Sequence, residues 1–438
     1  MLLTKPQRHF TALTALKRFA DSVTMVPFKL SKDTINMTAY KWQFAARFRY
    51  QAFGWQSDKP IQRIKEALSE IKQVAKKEPA LAAAGAVLFL EKISPAIQQV
   101  DSSSGTIGSI VNRAIDTLVP MIAKATVAPA MRQQWLQRLW LALQDDNVPY
   151  IEELGGYWGE LCANPECASQ WADEFRPAVE QVSQASGYAY FKGSSAYLSS
   201  LYAAGRHEEL LVMLENPYFS GWWYRQWGVR ALLSMDRKAD ALRYAEDSKK
   251  IINTPISAVA KVCEDILLSS GLYEEAYNRY ALDANIGTTH LATFRALVKK
   301  YPHKPAADIL QDLVASEPGT EGKWFAAAKD AGLFNVAIEL VNKSPTDPRT
   351  LIRASRDFAE KQPDFAVSAG MAALHWIARG YGYQITAGDV LEAYSSVLNA
   401  ASAKGMTDAQ IKAQIRNVIS KGDFGNNILA TLKDRLIG

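Results

Sequence analysis

The sequence predicts an all-α fold, a TPR-like α-solenoid of stacked antiparallel helical hairpins. Two observations favour it. Apolar residues recur with the spacing of one helix face along most of the chain, and a short phrase returns in the C-terminal half about every 30 residues. Because strand patterns do not alternate with helix patterns, a sheet-based enzyme fold is disfavoured.

The repeated phrase is an apolar helix end, a turn residue, and a second helix whose first buried residue comes five positions after the turn. Its turn residues are Gly205, Asp236, Gly271, Pro302, Gly332 and Lys361. Glycine suits the left-handed backbone that ends a helix, and proline breaks a helix by removing a hydrogen-bond donor. Since each hairpin can bury its apolar face only against its neighbours, the repeat predicts architecture and no chemistry.

The N-terminal half follows the helical pattern more loosely. Apolar spacing predicts helices over 61–75, 107–123 and 131–143, and the sequence DSSSGT from Asp101 is typical of a loop. We therefore divide the chain into a basic, aromatic helical unit (1–100), an irregular helical linker or hairpins (101–190), helical-hairpin repeats (191–395) and C-terminal capping helices (396–438).

Composition places the chain among ordinary globular proteins, with 438 residues of which 48% are hydrophobic and 22% charged. Its three cysteines are too few for a disulfide framework, so we expect a reducing compartment and a cytoplasmic location. The longest apolar run, residues 80–90, is about half of the ~20 residues that cross a bilayer, so no membrane span is predicted. The acid-free, basic first twenty residues leave an organellar transit peptide open as an alternative.

Charge is distributed unevenly along the chain. Up to Lys65 there are twelve basic and three acidic residues, a net charge of +9, so the remainder carries −4 of the overall +5. This asymmetry favours an anionic partner for the first segment.

Aromatic and cationic side chains interleave over residues 39–55. A helix and a strand both remain open there, and the helical neighbours and the Ala-Ala pair favour the helix. Rings beside cations suit single-stranded nucleic acid, because bases stack on rings while cations neutralise phosphates. The predicted contacts are Lys41, Trp42, Arg47, Arg49 and Trp55. The alternative, which we favour, is an N-terminal cap on the helical array with a solvated cationic rim.

A second aromatic cluster, GWWYRQW, occupies residues 221–227. Trp223 and Trp227 are four residues apart and would share a helix face, which predicts burial between hairpins. Trp222 and Arg225 would then face outward, where they could bind a protein partner.

The C-terminal half resembles a known family. The segments AGLF from Ala331, TDPRTL from Thr346, LHWI from Leu374 and GYGYQIT from Gly380 look like the helical-repeat region that follows the zinc finger in bacterial SWIM-type proteins. The resemblance implies a helical array, a bacterial origin and multi-gene systems that can include AAA+ ATPases and von Willebrand A proteins. It implies no catalytic residues.

The zinc finger of that family is not predicted here. Such a finger needs Cys-x-Cys followed by Cys-x-His, whereas Cys162 and Cys167 stand without a second ligand pair. The sequence also lacks the phosphate-binding loop, the dinucleotide fingerprint and the catalytic serine elbow. Adjacent acids such as Glu152 and Glu153 are interpreted as structural, because neighbours on a helix point about 100° apart.

The sequence therefore predicts no enzyme, no cofactor and no bound metal. It favours a helical-repeat scaffold or adaptor that binds a protein partner, within a bacterial multi-protein system. The alternative is a nucleic-acid-binding protein that uses the basic aromatic N-terminal segment.

Overall fold

A computed structural model describes residues 40–185, 189–420 and 429–436. All regular secondary structure in these ranges is helical, and they contain no strand, so the predicted all-α class is confirmed. The chain forms two compact units that divide between Arg237 and Lys238. This boundary lies inside the predicted repeat region 191–395, and the four predicted regions stay predictions.

The first unit contains nine α-helices among its described residues. They are α1 (Asp58–Ala75), α2 (Pro79–Ile97), α3 (Thr106–Lys124), α4 (Pro129–Gln144), α5 (Trp158–Cys162), α6 (Pro165–Ser183), α7 (Ser194–Ala203), α8 (His207–Met213) and α9 (Trp222–Ser234). Short 3-10 turns occupy Phe44–Ala46, Glu152–Tyr157 and Pro217–Phe219. Helices α1, α3 and α4 correspond to the predicted helices 61–75, 107–123 and 131–143, and the observed ends lie within three residues of the predicted ones.

Helix α2 is the centre of this unit's core. It begins with Pro79, whose fixed backbone suits a first helical turn, and continues past the apolar run through Glu91 and Lys92. Among the described residues it is the one helix long and apolar enough to cross a membrane, and 67% of its most apolar window is buried within the protein. Such burial is typical of a core helix.

Residues 40–55 form neither the favoured helix nor the alternative strand. The chain makes one 3-10 turn, Phe44–Ala46, and is otherwise irregular. Phe44 and Phe48 each pack edge-on against Phe89 of α2, and Glu70 of α1 accepts hydrogen bonds from the backbone N–H groups of residues 43 and 44. The aromatic spacing therefore reflects contacts with two helices that lie later in the chain.

The second unit contains thirteen α-helices within its described ranges, 238–420 and 429–436. They are α10 (Lys238–Ser248), α11 (Ile256–Ser269), α12 (Tyr273–Ala276), α13 (Leu282–Ala284), α14 (His290–Lys300), α15 (Ala306–Ser316), α16 (Phe325–Asp330), α17 (Phe334–Lys343), α18 (Pro348–Asp357), α19 (Pro363–Ala378), α20 (Ala387–Ala403), α21 (Asp408–Ser420) and α22 (Lys433–Leu436). A π-helical turn, Tyr277–Ala281, joins α12 to α13, and 3-10 turns occupy Glu321–Trp324 and Leu429–Leu432.

All six predicted turn positions fall between consecutive helices. Gly205, Gly271 and Gly332 have φ angles of 74°, 75° and 72°, in the left-handed region. The N–H group of the residue after each glycine donates to the carbonyl oxygen five residues earlier, as in Leu272 N to Leu267 O at 3.0 Å, which is a Schellman motif. Asp236 adopts the same backbone with φ 58°. At four of the six positions the repeated phrase is thus a left-handed helix C-cap.

A groove lined by tryptophan and glutamate

A groove of about 800 Å³ opens in the first unit. Its walls come from the 3-10 turn Glu152–Tyr157 and from α3, α5, α7 and α9. Its lining includes Glu152, Glu153, Glu160, Tyr202, Trp223 and Arg230.

Helix α9 supplies the aromatic wall. Trp223 is 59% exposed, whereas Trp227, one turn later, is buried. The Arg230 guanidinium carbon lies 4.6 Å from the centre of the Trp227 ring, and the Tyr202 ring lies 5.6 Å from the same ring. Residues 223, 227 and 230 share one helix face because they are spaced by about one helical turn. The wall therefore combines one exposed indole with a stacked cation.

This arrangement corrects the predicted orientation of the cluster. Trp222 was expected to face outward, but it is only 7% exposed. It shares its helix face with Val229, seven residues later, which is also buried. The exposed member is Trp223, which was expected to be buried. Arg225 is half-buried and does not line the groove, and its predicted role in partner binding stays a prediction.

Three carboxylates supply the acidic part of the lining. Burial raises the pKa of Glu152, and the nearby Asp146 carboxylate adds to the shift. Burial likewise raises the pKa of Glu153, with a contribution from Asp116. With Glu160 they outnumber the single cation Arg230, so the described lining carries a net charge of −2 when all four groups are ionised. The groove is suited to a cationic ligand.

Two helices, α5 and α7, approach each other closely at the floor of the groove. A Cβ atom placed on Gly159 would lie 2.3 Å from the Ser199 carbonyl oxygen, so only glycine permits this approach. The Ser199 hydroxyl accepts from Gly159 N at 2.9 Å and donates to Gly156 O at 3.0 Å. Its hydrogen-bonding capacity is thus taken up by backbone groups. The described lining contains no histidine or cysteine.

Not all of the residues predicted to contact nucleic acid are accessible in the N-terminal segment. Trp42 is only 6% exposed, so it cannot stack on a base. Arg47 donates to Glu66 at 2.7 Å, and Arg49 donates to the Ala46 carbonyl at 3.0 Å. Trp55 is 71% exposed.

Lys41 is also exposed. Nucleic-acid contacts at Lys41, Arg47, Arg49 and Trp55 stay a prediction, whereas the stacking role of Trp42 is wrong. Most of the basic segment, residues 1–39, lies outside the described residues.

Sequence reasoning assigned no function to several groove residues. Glu152 and Glu153 were interpreted as structural, and Glu160, Tyr202 and Arg230 were not singled out. The spacing of Trp223, Trp227 and Arg230 along one face was a usable signal. The sequence contains no comparable signal for the three glutamates, because residues 152–160 are far from α9 in the chain.

The chain matches no protein-family model, and no curated protein is significantly similar to it. The resemblance to SWIM-type proteins therefore stays a prediction. Within the described ranges, no group of three or more His, Cys, Asp or Glu side chains is placed to hold a metal ion.

Proposed function

We propose that the protein is a non-enzymatic scaffold or adaptor that binds a protein partner through the groove lined by Trp223 and the three glutamates. The helical hairpins are, in this proposal, the stacked repeats of a TPR-like α-solenoid. Left-handed helix C-caps at Gly205, Asp236, Gly271 and Gly332, spaced by about 30 or 60 residues, support that arrangement. The observation that carries the functional proposal is the exposed indole of Trp223 in an acidic groove.

The occupant that fits is a segment of a partner protein carrying Arg or Lys side chains. Cations are attracted to the face of an indole by roughly 0.5–2 kcal/mol, depending on how far they are desolvated. Arg230 already makes this contact with Trp227. A second cation over Trp223 would lie in the same groove as Glu152, Glu153 and Glu160, whose negative charges would attract it.

The wider setting is also proposed. A bacterial multi-protein system, with an AAA+ ATPase or a von Willebrand A protein as the partner, follows from the resemblance to SWIM-type proteins. A cytoplasmic location follows from cysteine content. Nucleic-acid binding is the rival function, and it would use Lys41, Arg47, Arg49 and Trp55.

Replacing Trp223 with Ala is expected to weaken binding of an Arg- and Lys-containing peptide by roughly tenfold or more, as at interface hot spots. Fluorescence anisotropy of the labelled peptide measures this, and a glutamate-substituted peptide of equal length should not bind. The matched control is Trp55→Ala, since Trp55 is another exposed tryptophan outside the groove.

Two outcomes would contradict the groove proposal. One is equal affinity of the wild type and Trp223→Ala for the cationic peptide. The other is tight binding of a single-stranded oligonucleotide that Arg49→Ala weakens and Trp223→Ala does not, which would favour the nucleic-acid function instead.

Peptide binding is expected to weaken as the pH falls from 7 to 5. Burial raises the pKa values of Glu152 and Glu153, so both carboxyls take up protons at a higher pH than an ordinary glutamate does and then lose their attraction for cations. Raised pKa values mean that protonating these two groups does not destabilise the fold. Weaker binding at pH 5 would therefore not reflect unfolding through them.

The control for this prediction is the Glu152→Gln, Glu153→Gln double variant. It should bind weakly at neutral pH, with a much flatter pH dependence, when both proteins are titrated at the same ionic strength. Affinity of the wild type that rises towards pH 5 would contradict the prediction.

A further inference from the structure

The junction between α5 and α6 brings two cysteines together. Helix α5 ends at Cys162, and Ala163 turns the chain with a φ angle of 64°. Asn164 then caps α6, because its side-chain oxygen accepts from Cys167 N at 2.8 Å. Cys167 thus lies in the first turn of a long helix, where the unpaired N–H groups favour negative charge.

A buried cation without a carboxylate partner lies beside these thiols. Arg132 is 5% exposed, and among the described residues it forms no ion pair with an acidic side chain. Its guanidinium donates to the carbonyl oxygens of Ile122 and Ala125 at 2.5 and 2.7 Å, and more weakly to Leu161 O at 3.4 Å. Carbonyl dipoles solvate a guanidinium without neutralising it. A thiolate at this junction would supply the missing counter-charge.

The Gln133 amide is oriented towards the Cys167 sulfur. Its oxygen accepts from the Trp171 indole N–H at 3.0 Å, which leaves its nitrogen 3.5 Å from Cys167 Sγ. The same nitrogen donates to Gln170 Oε1 at 3.1 Å. Cys167 Sγ is therefore placed as a hydrogen-bond acceptor, the role of a thiolate.

The two thiols also differ in their protonation. A hydrogen bond from Cys162 to Cys167 raises the pKa of Cys162, and burial adds to that shift. The same hydrogen bond lowers the pKa of Cys167, with help from Arg132 and against the effect of burial. Cys162 is fully buried and Cys167 is slightly exposed. Cys167 is accordingly the member that a small reagent reaches.

We propose that Cys167 is a thiolate nucleophile and Cys162 its resolving thiol, together forming a site at which hydroperoxides oxidise the protein. The Cys167 thiolate attacks one oxygen of hydrogen peroxide, an S–O bond forms as the O–O bond breaks, and the departing hydroxide takes up a proton, so the products are a sulfenic acid and water. Cys162 sulfur then attacks the sulfenic sulfur, the S–O bond breaks, and the oxygen leaves as a second water. The dithiol has lost two electrons and two protons, and peroxide has been reduced. The inference is independent of the proposed groove.

The test uses the full-length protein treated with equimolar hydrogen peroxide at neutral pH. A non-reducing tryptic digest should show the fragment that carries both cysteines lighter by two hydrogen atoms, and dithiothreitol should restore its mass. Cys263 is the internal control, because it is buried and burial raises its pKa to about 11. It should stay a thiol.

The two single variants assign the roles. Cys162→Ser should leave a sulfenic acid on Cys167 that dimedone labels roughly tenfold more than Cys263, whereas Cys167→Ser should give no label on Cys162. Circular dichroism establishes that each variant is folded. The wild-type digest requires no substitution, so an unstable variant leaves the test intact. Absence of the disulfide, or equal labelling of Cys263 and Cys167, would overturn the proposal.

Discussion

Replacing Trp42 with Ala is expected to lower the free energy of unfolding of the first unit by about 3–5 kcal/mol, the usual cost of truncating a buried tryptophan. The Trp42 ring lies directly on α2 at Gly85, where an added Cβ would be 2.2 Å from Cζ2 of the indole. Its ring also contacts Phe44, with centroids 5.4 Å apart. Truncation would leave a cavity between the N-terminal segment and α2, since neither partner can move into the space without breaking other contacts.

The same segment contains its own control. Trp55 is 71% exposed, and Trp55→Ala is expected to change stability by less than about 0.5 kcal/mol, as for most surface substitutions. Urea unfolding of the two variants and the wild type, followed by circular dichroism, measures both changes. Similar losses in the two variants, or an unchanged midpoint for Trp42→Ala, would contradict the burial of Trp42 against α2.

The helix pattern was predictable because its causes are local. A left-handed residue such as Gly271 is favoured by its own lack of a Cβ, and the helices on either side need only their apolar periodicity. The aromatic segment from residue 40 was not predictable in this way. Its rings are spaced to meet Gly85 and Phe89, which are far away in sequence, so neither a helical nor a strand period applies.

The groove likewise combines features that local sequence predicts with features that depend on residues distant in the chain. That residues 223, 227 and 230 share a face follows from helix geometry alone. Which face of α9 is buried depends on its neighbours, and for that reason Trp222 and Trp223 were assigned the wrong exposure. The meeting of this face with Glu152 and Glu160 is a tertiary contact between distant segments. No local pattern encodes it.

Replacing Glu264 with Ala is expected to destabilise the second unit by about 3–5 kcal/mol, because it leaves buried polar groups without their shared partner. The Glu264 side chain is completely buried on α11. One carboxylate oxygen accepts from Tyr301 Oη at 2.6 Å and Asn285 Nδ2 at 2.7 Å, and the other accepts from Lys300 Nζ at 2.5 Å. These hydrogen bonds join α11 to the end of α14 and to the loop before it.

Lys300 offers a matched comparison, since its ammonium group lies between two carboxylates. Burial opposes its charge, but the hydrogen bonds to Glu264 and Asp265 outweigh that effect and raise the pKa of Lys300. Asp265 is the exposed partner, at 3.2 Å, so Asp265→Ala should cost no more than about 1 kcal/mol. Thermal unfolding of the two variants tests the difference.

Glu264→Gln separates charge from hydrogen bonding at this position. Its amide keeps one acceptor but turns an NH₂ group towards donors, so at least one of Lys300, Tyr301 and Asn285 loses its acceptor. We expect a loss of stability intermediate between Asp265→Ala and Glu264→Ala. If Glu264→Ala cost no more than Asp265→Ala, the carboxylate would not be the buried link between α11 and α14. Because Tyr301 is itself completely buried, its hydroxyl has no water to replace Glu264, and the larger cost is expected.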